Sequence, residues 1–204
     1  VIDGELTQTS FSIDKVANIS LTAYNQNLTP ASNVQFTLRG AKIIGFDTAD
    51  EPVYKFQKTT STIGNVVSIP NLEWDNYLVD LSSSAYNLAG SNPITPFSLN
   101  PNSHQDIRIV VAPKTSASLL VTVTDPLNIP LASAEAVLKS ESGAYEQNRF
   151  TSATGSANFG QAFFNSLTGG IYNLDINLPG YVSASASVTI AGNQRENIIL
   201  APAF

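Results

Sequence analysis

The chain has 204 residues, ten Lys and Arg against sixteen Asp and Glu, a net charge of −6, and neither cysteine nor methionine. That length fits two domains of about 100 residues, each large enough to bury a core without disulfide or metal. Lack of cysteine excludes a disulfide framework and thiol chemistry, and the acidic balance argues against nucleic acid and anionic membrane surfaces, which attract clustered Lys and Arg.

Charged residues make up only 13% of the chain, so Asn, Ser and Thr fill the polar positions. That composition is typical of bacterial surface proteins and sets the expected location as extracellular, on the cell surface. A sequence that starts at Val1 without methionine reads as part of a longer product. An anchor, if there is one, is expected before Val1. No apolar run reaches the roughly 18 residues needed to span a membrane, so this stretch is expected to make no membrane contact.

Residues 1–16 read as a connector or as an extra edge strand over Leu6 to Ile13. From residue 17 onward the pattern alternates with period 2 and is rich in β-branched residues, as in Ile19, Leu21, Ala23 and in Val34, Phe36, Leu38. Such runs, broken by Pro, Gly and Asn, predict half-buried strands. They fall near 17–24, 33–39, 52–58, 65–70, 76–82, 95–99 and 105–111. The stretches 40–52 and 87–103 read as long loop insertions. Ala112-Pro113-Lys114-Thr115 form a short linker whose proline restricts swivelling, so the pair of repeats is expected to behave as a semi-rigid rod. Further strands are predicted near 118–124, 134–140, 145–151, 157–163, 171–177, 183–189 and 195–200, with a glycine turn at Gly169-Gly170.

The second series repeats the first. Leu21 to Leu38 aligns with Val121 to Leu138, which sets Pro30 against Pro130. Tyr77 and Tyr86 align with Tyr172 and Tyr181, and Ala112-Pro113 aligns with Ala201-Pro202. The offset falls from 100 to 89 along the repeat, so the first copy carries about eleven extra loop residues. The expected organisation is an N-terminal segment 1–16, repeat 1 over 17–113 and repeat 2 over 114–204.

Repeat 2 shows the layout most clearly, in Val121-Thr122-Val123-Thr124-Asp125, Pro130 to Ala134, Gly155 to Phe159, Leu167 to Leu174 and Leu178-Pro179-Gly180-Tyr181. This layout resembles the carboxypeptidase regulatory-like family and the collagen-adhesin B-type domain. The resemblance implies an all-β fold of two tandem seven-stranded, Ig-like or prealbumin-like sandwiches. Ile69 to Tyr77 is also similar to a stretch of prepilin-like surface proteins. In the adhesin domains a Lys on the first strand and an Asn on the last form an isopeptide bond assisted by a Glu. Here Thr22-Ala23 and Thr122-Val123 stand in the Lys region, Val111-Ala112 and Leu200-Ala201 in the Asn region, and Leu81 and Ile176 in the Glu position. No such bond is expected.

The candidate contact residues are Trp74, the single tryptophan, with Glu73, Asp75, Tyr54 and Tyr86. A loop Trp stacks on a sugar ring or anchors a protein partner when exposed, and packs on a neighbouring loop when not. Asp47, Asp50 and Glu51 cluster without the spacing of a calcium loop. His104 is the single histidine, which is too few for a usual zinc site and has no nucleophile elbow beside it. Asn18-Ile19-Ser20 and Asn27-Leu28-Thr29 match a glycosylation sequon.

The sequence therefore predicts no enzyme, cofactor or metal. It predicts a stalk or adhesion segment of a surface protein with pilin-like character, whose partners are a protein or glycan on another surface, or further copies in a filament. A carbohydrate-binding accessory module of a secreted enzyme is the alternative. Strand exchange with a neighbour through residues 1–16 is a third reading, favoured by an open edge beside strand 17–24.

Overall fold

A computed structural model describes residues 15–82 and 84–203. The reading of residues 1–14 as connector or edge strand lies outside the described residues. In chain order the strands are β1 (Ala17–Asn25), β2 (Gln35–Gly40), β3 (Ile43–Phe46), β4 (Pro52–Tyr54), β5 (Gln57–Ser61), β6 (Val66–Leu72), β7 (Asp75–Asp80), β8 (Tyr86–Asn92), β9 (Phe97–Leu99) and β10 (His104–Pro113). They continue as β11 (Ser118–Thr124), β12 (Glu135–Ser140), β13 (Glu146–Phe150), β14 (Gln161–Phe164), β15 (Gly170–Asn177), β16 (Ala184–Ile190) and β17 (Asn193–Ile199). The fold is all-β, with no helix among the described residues.

The strands form five sheets, ordered β6-β1-β10-β8, β5-β2-β7-β9, β3-β4, β14-β11-β17 and β13-β12-β15-β16. Each sheet draws its strands from one side of the linker. Period-2 alternation sends one set of side chains inward on each side. Ile19, Leu21, Phe36, Leu38, Val79, Ile107 and Ile109 share one core. Leu119, Val121, Leu138, Phe164, Leu174 and Ile176 share the other. Two of the repeated tyrosines occupy matching places. The buried Tyr77 donates its hydroxyl to Glu73 O at 2.9 Å, and Tyr172 donates to Thr168 O at 3.1 Å. Each ring is core and each hydroxyl closes the turn four residues upstream.

Residues 17–113 form ten strands rather than the expected seven. The predicted strand at 52–58 divides into β4 and β5. The 40–52 insertion contains β3, and the 87–103 insertion contains β8 in addition to the strand expected at 95–99, which is β9. The predicted strand at 157–163 starts later, at Gln161, because Gly155 and Gly160 hold positive φ and shape a turn before it.

Strand β8 decides how the two sides meet. It runs antiparallel to β10 at the sheet edge, and Asn87 through Ser91 are all buried. Its second covering comes from the far side of the linker. The outward-facing Leu120 and Phe163, with Ala157, join the cluster that contains Val110, Ala112, Leu88 and Ala89. Fully burying a side chain of this size contributes roughly 1.5–3 kcal/mol. Polar groups at the seam are paired as well. Gln161 Oε1 accepts Ser91 N–H at 2.7 Å, and the Asn92 and Arg108 side chains donate to Ser156 O and Gly155 O, both at 3.0 Å.

The chain reverses at the link between β10 and β11, which the structure places at residues 114–117. Lys114 N–H donates to Ala85 O at 3.0 Å and Leu167 N–H to Ala117 O at 3.1 Å, so both ends of the linker are tied down. Tyr86 pairs with Pro113 beside the linker, while Ser91, farther along β8, meets Gln161, which pairs with Thr122. Strand β11 therefore runs back alongside β8, opposite to β10. The result is a side-by-side block in place of the expected semi-rigid rod.

Two substitutions test this packing. Gly90 has φ +153°, and an added Cβ would overlap Asn158 Cβ and stand 2.7 Å from Gln161 Oε1. Gly90→Ala is expected to lower stability by about 1–3 kcal/mol in urea unfolding. Leu28 is exposed at φ +62°, where the aligned residue is Asn128 with the same φ. Leu28→Asn is expected to raise stability by about 1 kcal/mol, the usual cost of left-handed backbone for a bulky residue.

Candidate functional site

Buried Leu72 ends β6 and buried Tyr77 sits early in β7. Both are anchored in the core, so the short link between the strands turns outward and leaves Trp74 49% exposed. The corner lies where β1 begins, since Ala17 pairs with Leu72, and away from the linker.

The β3-β4 hairpin packs across this link. Lys55 N–H donates to Lys42 O at 2.8 Å, which sets the two lysines side by side at the hairpin base. Lys42 Nζ lies 3.5 Å from the centroid of the Trp74 ring and donates to Trp74 O, while its backbone N–H donates to Asp75 Oδ2 at 3.1 Å. Lys55 Nζ meets Glu73 Oε2 at 2.6 Å. A cavity of about 120 Å³ sits behind these groups, lined by Lys42, Lys55, Phe56, Asn71, Glu73, Asp75 and Tyr77. Gly40 leaves room for the Asp75 carboxylate, since a Cβ there would displace Asp75 Oδ2. Two cations and two carboxylates thus hold one indole at the surface.

The hydrogen bond from Lys55 holds the Glu73 carboxyl below its ordinary value of 4.5. Burial, then the charges of Asp75 and Glu73, push the Tyr77 phenol up to about 12.

Glu73, Trp74 and Asp75 come together as the sequence suggests, but Tyr54 and Tyr86 do not line up with them. The Tyr54 ring is covered by the Arg39 guanidinium, 4.2 Å from its centroid. Tyr86 packs against the core and lines the groove between the two sides of the molecule. Sequence reasoning missed Lys42 and Lys55, whose role depends on a hairpin 18 to 32 residues away from its partners. It also missed the exposed Ile43, Ile44, Phe46 and Val53 of that hairpin. The run Ile43-Ile44-Gly45-Phe46 within an insertion was the available signal.

The other candidates have ordinary partners. Asp47 Oδ1 accepts the N–H groups of Ala49 and Glu51 at 2.8 and 3.0 Å, so it shapes its own turn. His104 Nε2 lies 3.2 Å from Asp106 Oδ1 at the exposed start of β10. Among the described residues no group of three or more His, Cys, Asp or Glu is placed to hold a metal ion, and no helix is long and apolar enough to cross a membrane. The corner thus presents a fixed indole, paired charges and an apolar hairpin.

No family model matches the chain, and no curated protein does. Among solved structures the chain is similar to the Bacillus anthracis TIE protein, at 17% identity and a TM-score of 0.36, over 92% of this chain and 34% of that one. The chain thus spans about a third of that protein's length. It is also similar to the shaft pilin SpaA of Lactobacillus rhamnosus GG, at 14% identity and a TM-score of 0.33, over 93% and 99% of the two chains. A minor pilin of Streptococcus agalactiae matches at 13% identity and a TM-score of 0.36, over 92% and 97%. These values mark a likeness of β-rich architecture and nothing narrower.

The electrostatics of the corner give two expected titrations. Glu73 is stabilised as the carboxylate, a contribution present above its ordinary pKa and lost as pH falls through the lowered one. Side-chain NMR should show Glu73 titrating below 4.5 and returning to the ordinary range in Lys55→Ala. Tyr77 is stabilised as the neutral phenol, a contribution present below 10 and lost as pH rises toward about 12. Ultraviolet titration should therefore show Tyr77 ionising late, with stability falling across that window.

Proposed function

We propose that the chain is a non-enzymatic stalk or adhesion segment of a cell-surface, pilin-like protein, built from two tandem sandwich units, 17–113 and 114–204. The observation that carries this reading is the seam at β8, which makes two sandwiches into one stiff block. The tandem part is supported by shared strand order. In β6-β1-β10 and in β14-β11-β17 a parallel pair stands beside an antiparallel neighbour. In β5-β2-β7-β9 and β13-β12-β15-β16 the remaining four strands follow one antiparallel order. On this reading β3, β4 and β8 are the additions that distinguish the first unit. The pilin-like part rests on the sequence resemblance at Ile69 to Tyr77.

Mechanically, such a block serves as a support, since scaffolded loops carry contact residues. The surface it offers is the Trp74 corner with the β3-β4 hairpin. The partner is a protein or glycan on another surface. The exposure of Trp74 also suits a carbohydrate-binding module, but a cation already covers the indole and no flat row of aromatics extends from it.

Immunogold labelling of intact cells of the source organism with antibody to this chain is expected to mark the cell exterior. Label confined to the cytoplasm would sink the surface reading. Beads coated with the chain are expected to adhere to a target surface and to lose that adhesion with the double variant Trp74→Ala, Phe46→Asp. Binding to free oligosaccharides on a glycan array, lost in Trp74→Ala alone, would favour the accessory-module reading instead.

A further inference from the structure

Strands β10 and β17 hold equivalent positions but end differently. Strand β10 has β1 on one side and β8 on the other. Strand β17 has β11 on one side, and along Asn193–Ile199 no described strand lies on the other. That outer side is taken up only past the end of β17, where Val182 N–H donates to Ala201 O and Ala203 N–H to Gly180 O. The open side is defined by the ladder. Ser118 N–H donates to Gly192 O and Leu200 N–H donates to Thr124 O. Between these bonds the parallel register directs the N–H and C=O groups of Arg195, Asn197 and Ile199 away from β11. An edge of this kind accepts an added strand.

Two features set this edge apart. Its charged Arg195 is turned aside, donating to Val79 O at 3.3 Å in the groove between the two sides of the molecule. At the other end an apolar groove of about 660 Å³ runs beside the strand, lined in part by Ile94, Phe97, Phe159, Asn197 and Ile199. In strand addition, backbone bonds supply affinity and grooves for alternate side chains supply selectivity.

The chain also supplies a strand of suitable pattern. In residues 7–13, Thr-Gln-Thr-Ser-Phe-Ser-Ile, an extended conformation would set Thr7, Thr9, Phe11 and Ile13 on one face and Gln8, Ser10 and Ser12 on the other. The segment has no charge, Pro or Gly, and its seven residues equal the seven of β17. It leads through Asp14 to Lys15, whose carbonyl accepts Asn102 N–H at 3.2 Å. The open edge expected beside β1 is absent, because β6 and β10 occupy both of its sides.

We propose that residues 7–13 of one copy add as an edge strand to β17 of a second copy, with the Thr7, Thr9, Phe11 and Ile13 face over the groove. The contact joins two different surfaces, so it propagates as an open filament instead of closing as a dimer. This deepens the surface-filament reading and rests on it for its biological setting.

The test is sedimentation of the 204-residue chain against the same chain lacking residues 1–14. The full chain is expected to form a concentration-dependent series and the truncated chain to stay monomeric. A synthetic peptide of residues 5–14 should bind the truncated chain. Asn197→Pro removes an outward N–H without touching the β11 ladder, and should weaken both associations by about tenfold or more. Phe11→Asp, which lies outside the described fold, should do the same in the full chain. A full chain that is monomeric at millimolar concentration overturns the proposal, including one whose own residues 1–14 stabilise it. Association that survives truncation, Phe11→Asp or Asn197→Pro overturns it equally. Cell-surface labelling is read separately, so either idea can fail alone.

Discussion

The close approach of Gly90 to Asn158 and Gln161 governs the architecture of this protein. A strand at the edge of one sheet is pressed against the outer face of another, and only a residue without a side chain fits at the tightest point. Gln161, itself buried, then gives its carboxamide oxygen to Ser91 N–H at 2.7 Å. A buried backbone donor left unpaired would cost about 1–3 kcal/mol, so the seam needs both the small residue and the paired polar one. Leu120 and Phe163 supply the apolar contact around that bond. The linker adds order more than strength: its hydrogen bonds fix where the chain turns back.

The same insertion creates an asymmetry between the two sides. Strand β8 covers the flank of β10 and is in turn covered by β11 and β14. The additional strand both seals one edge and builds the surface on which the next sheet rests. Nothing described plays that part for β17, which keeps a row of outward peptide groups. Inserted residues thus change the molecule far from the hairpin and loop positions where insertions are usually placed.

Much of this was legible in the alternating pattern, and the exceptions have physical causes. Strands with one wet face, such as β1, β2, β7 and β15, show clean period-2 alternation and fall where expected. Ile109-Val110-Val111-Ala112, Leu119-Leu120-Val121 and Ala162-Phe163-Phe164 are continuous apolar runs. Such runs signal strands buried on both faces, and reading them as half-buried hid the seam. Strand β8 was hidden for the opposite reason. Asn87, Gly90, Ser91 and Asn92 look like loop residues, because strand propensity reports packing against neighbours and these neighbours come from beyond residue 117. At the Trp74 corner the sequence set Glu73, Trp74 and Asp75 in one turn and left the exposure of the indole open. The lysines were not legible, since hairpin geometry, not sequence distance, brings them to the ring.

The corner's charges bear on what it can recognise. Lys55 is committed to Glu73, and Lys42 is shared between the indole face and the Trp74 carbonyl. An exposed cation–π pair is worth about 0.5–1 kcal/mol and an exposed ion pair about the same or less, so together they restrain the ring without burying it. A partner docking here would meet an indole already oriented and pay less side-chain entropy on binding. The charges are also largely matched, which leaves little net field to draw in an ionic ligand. What remains unmatched is apolar: the half-exposed indole and, on the hairpin, the exposed Ile44 and Phe46. For a partner docking on this corner, selectivity would rest on shape and apolar contact, with the ion pairs serving to hold that shape.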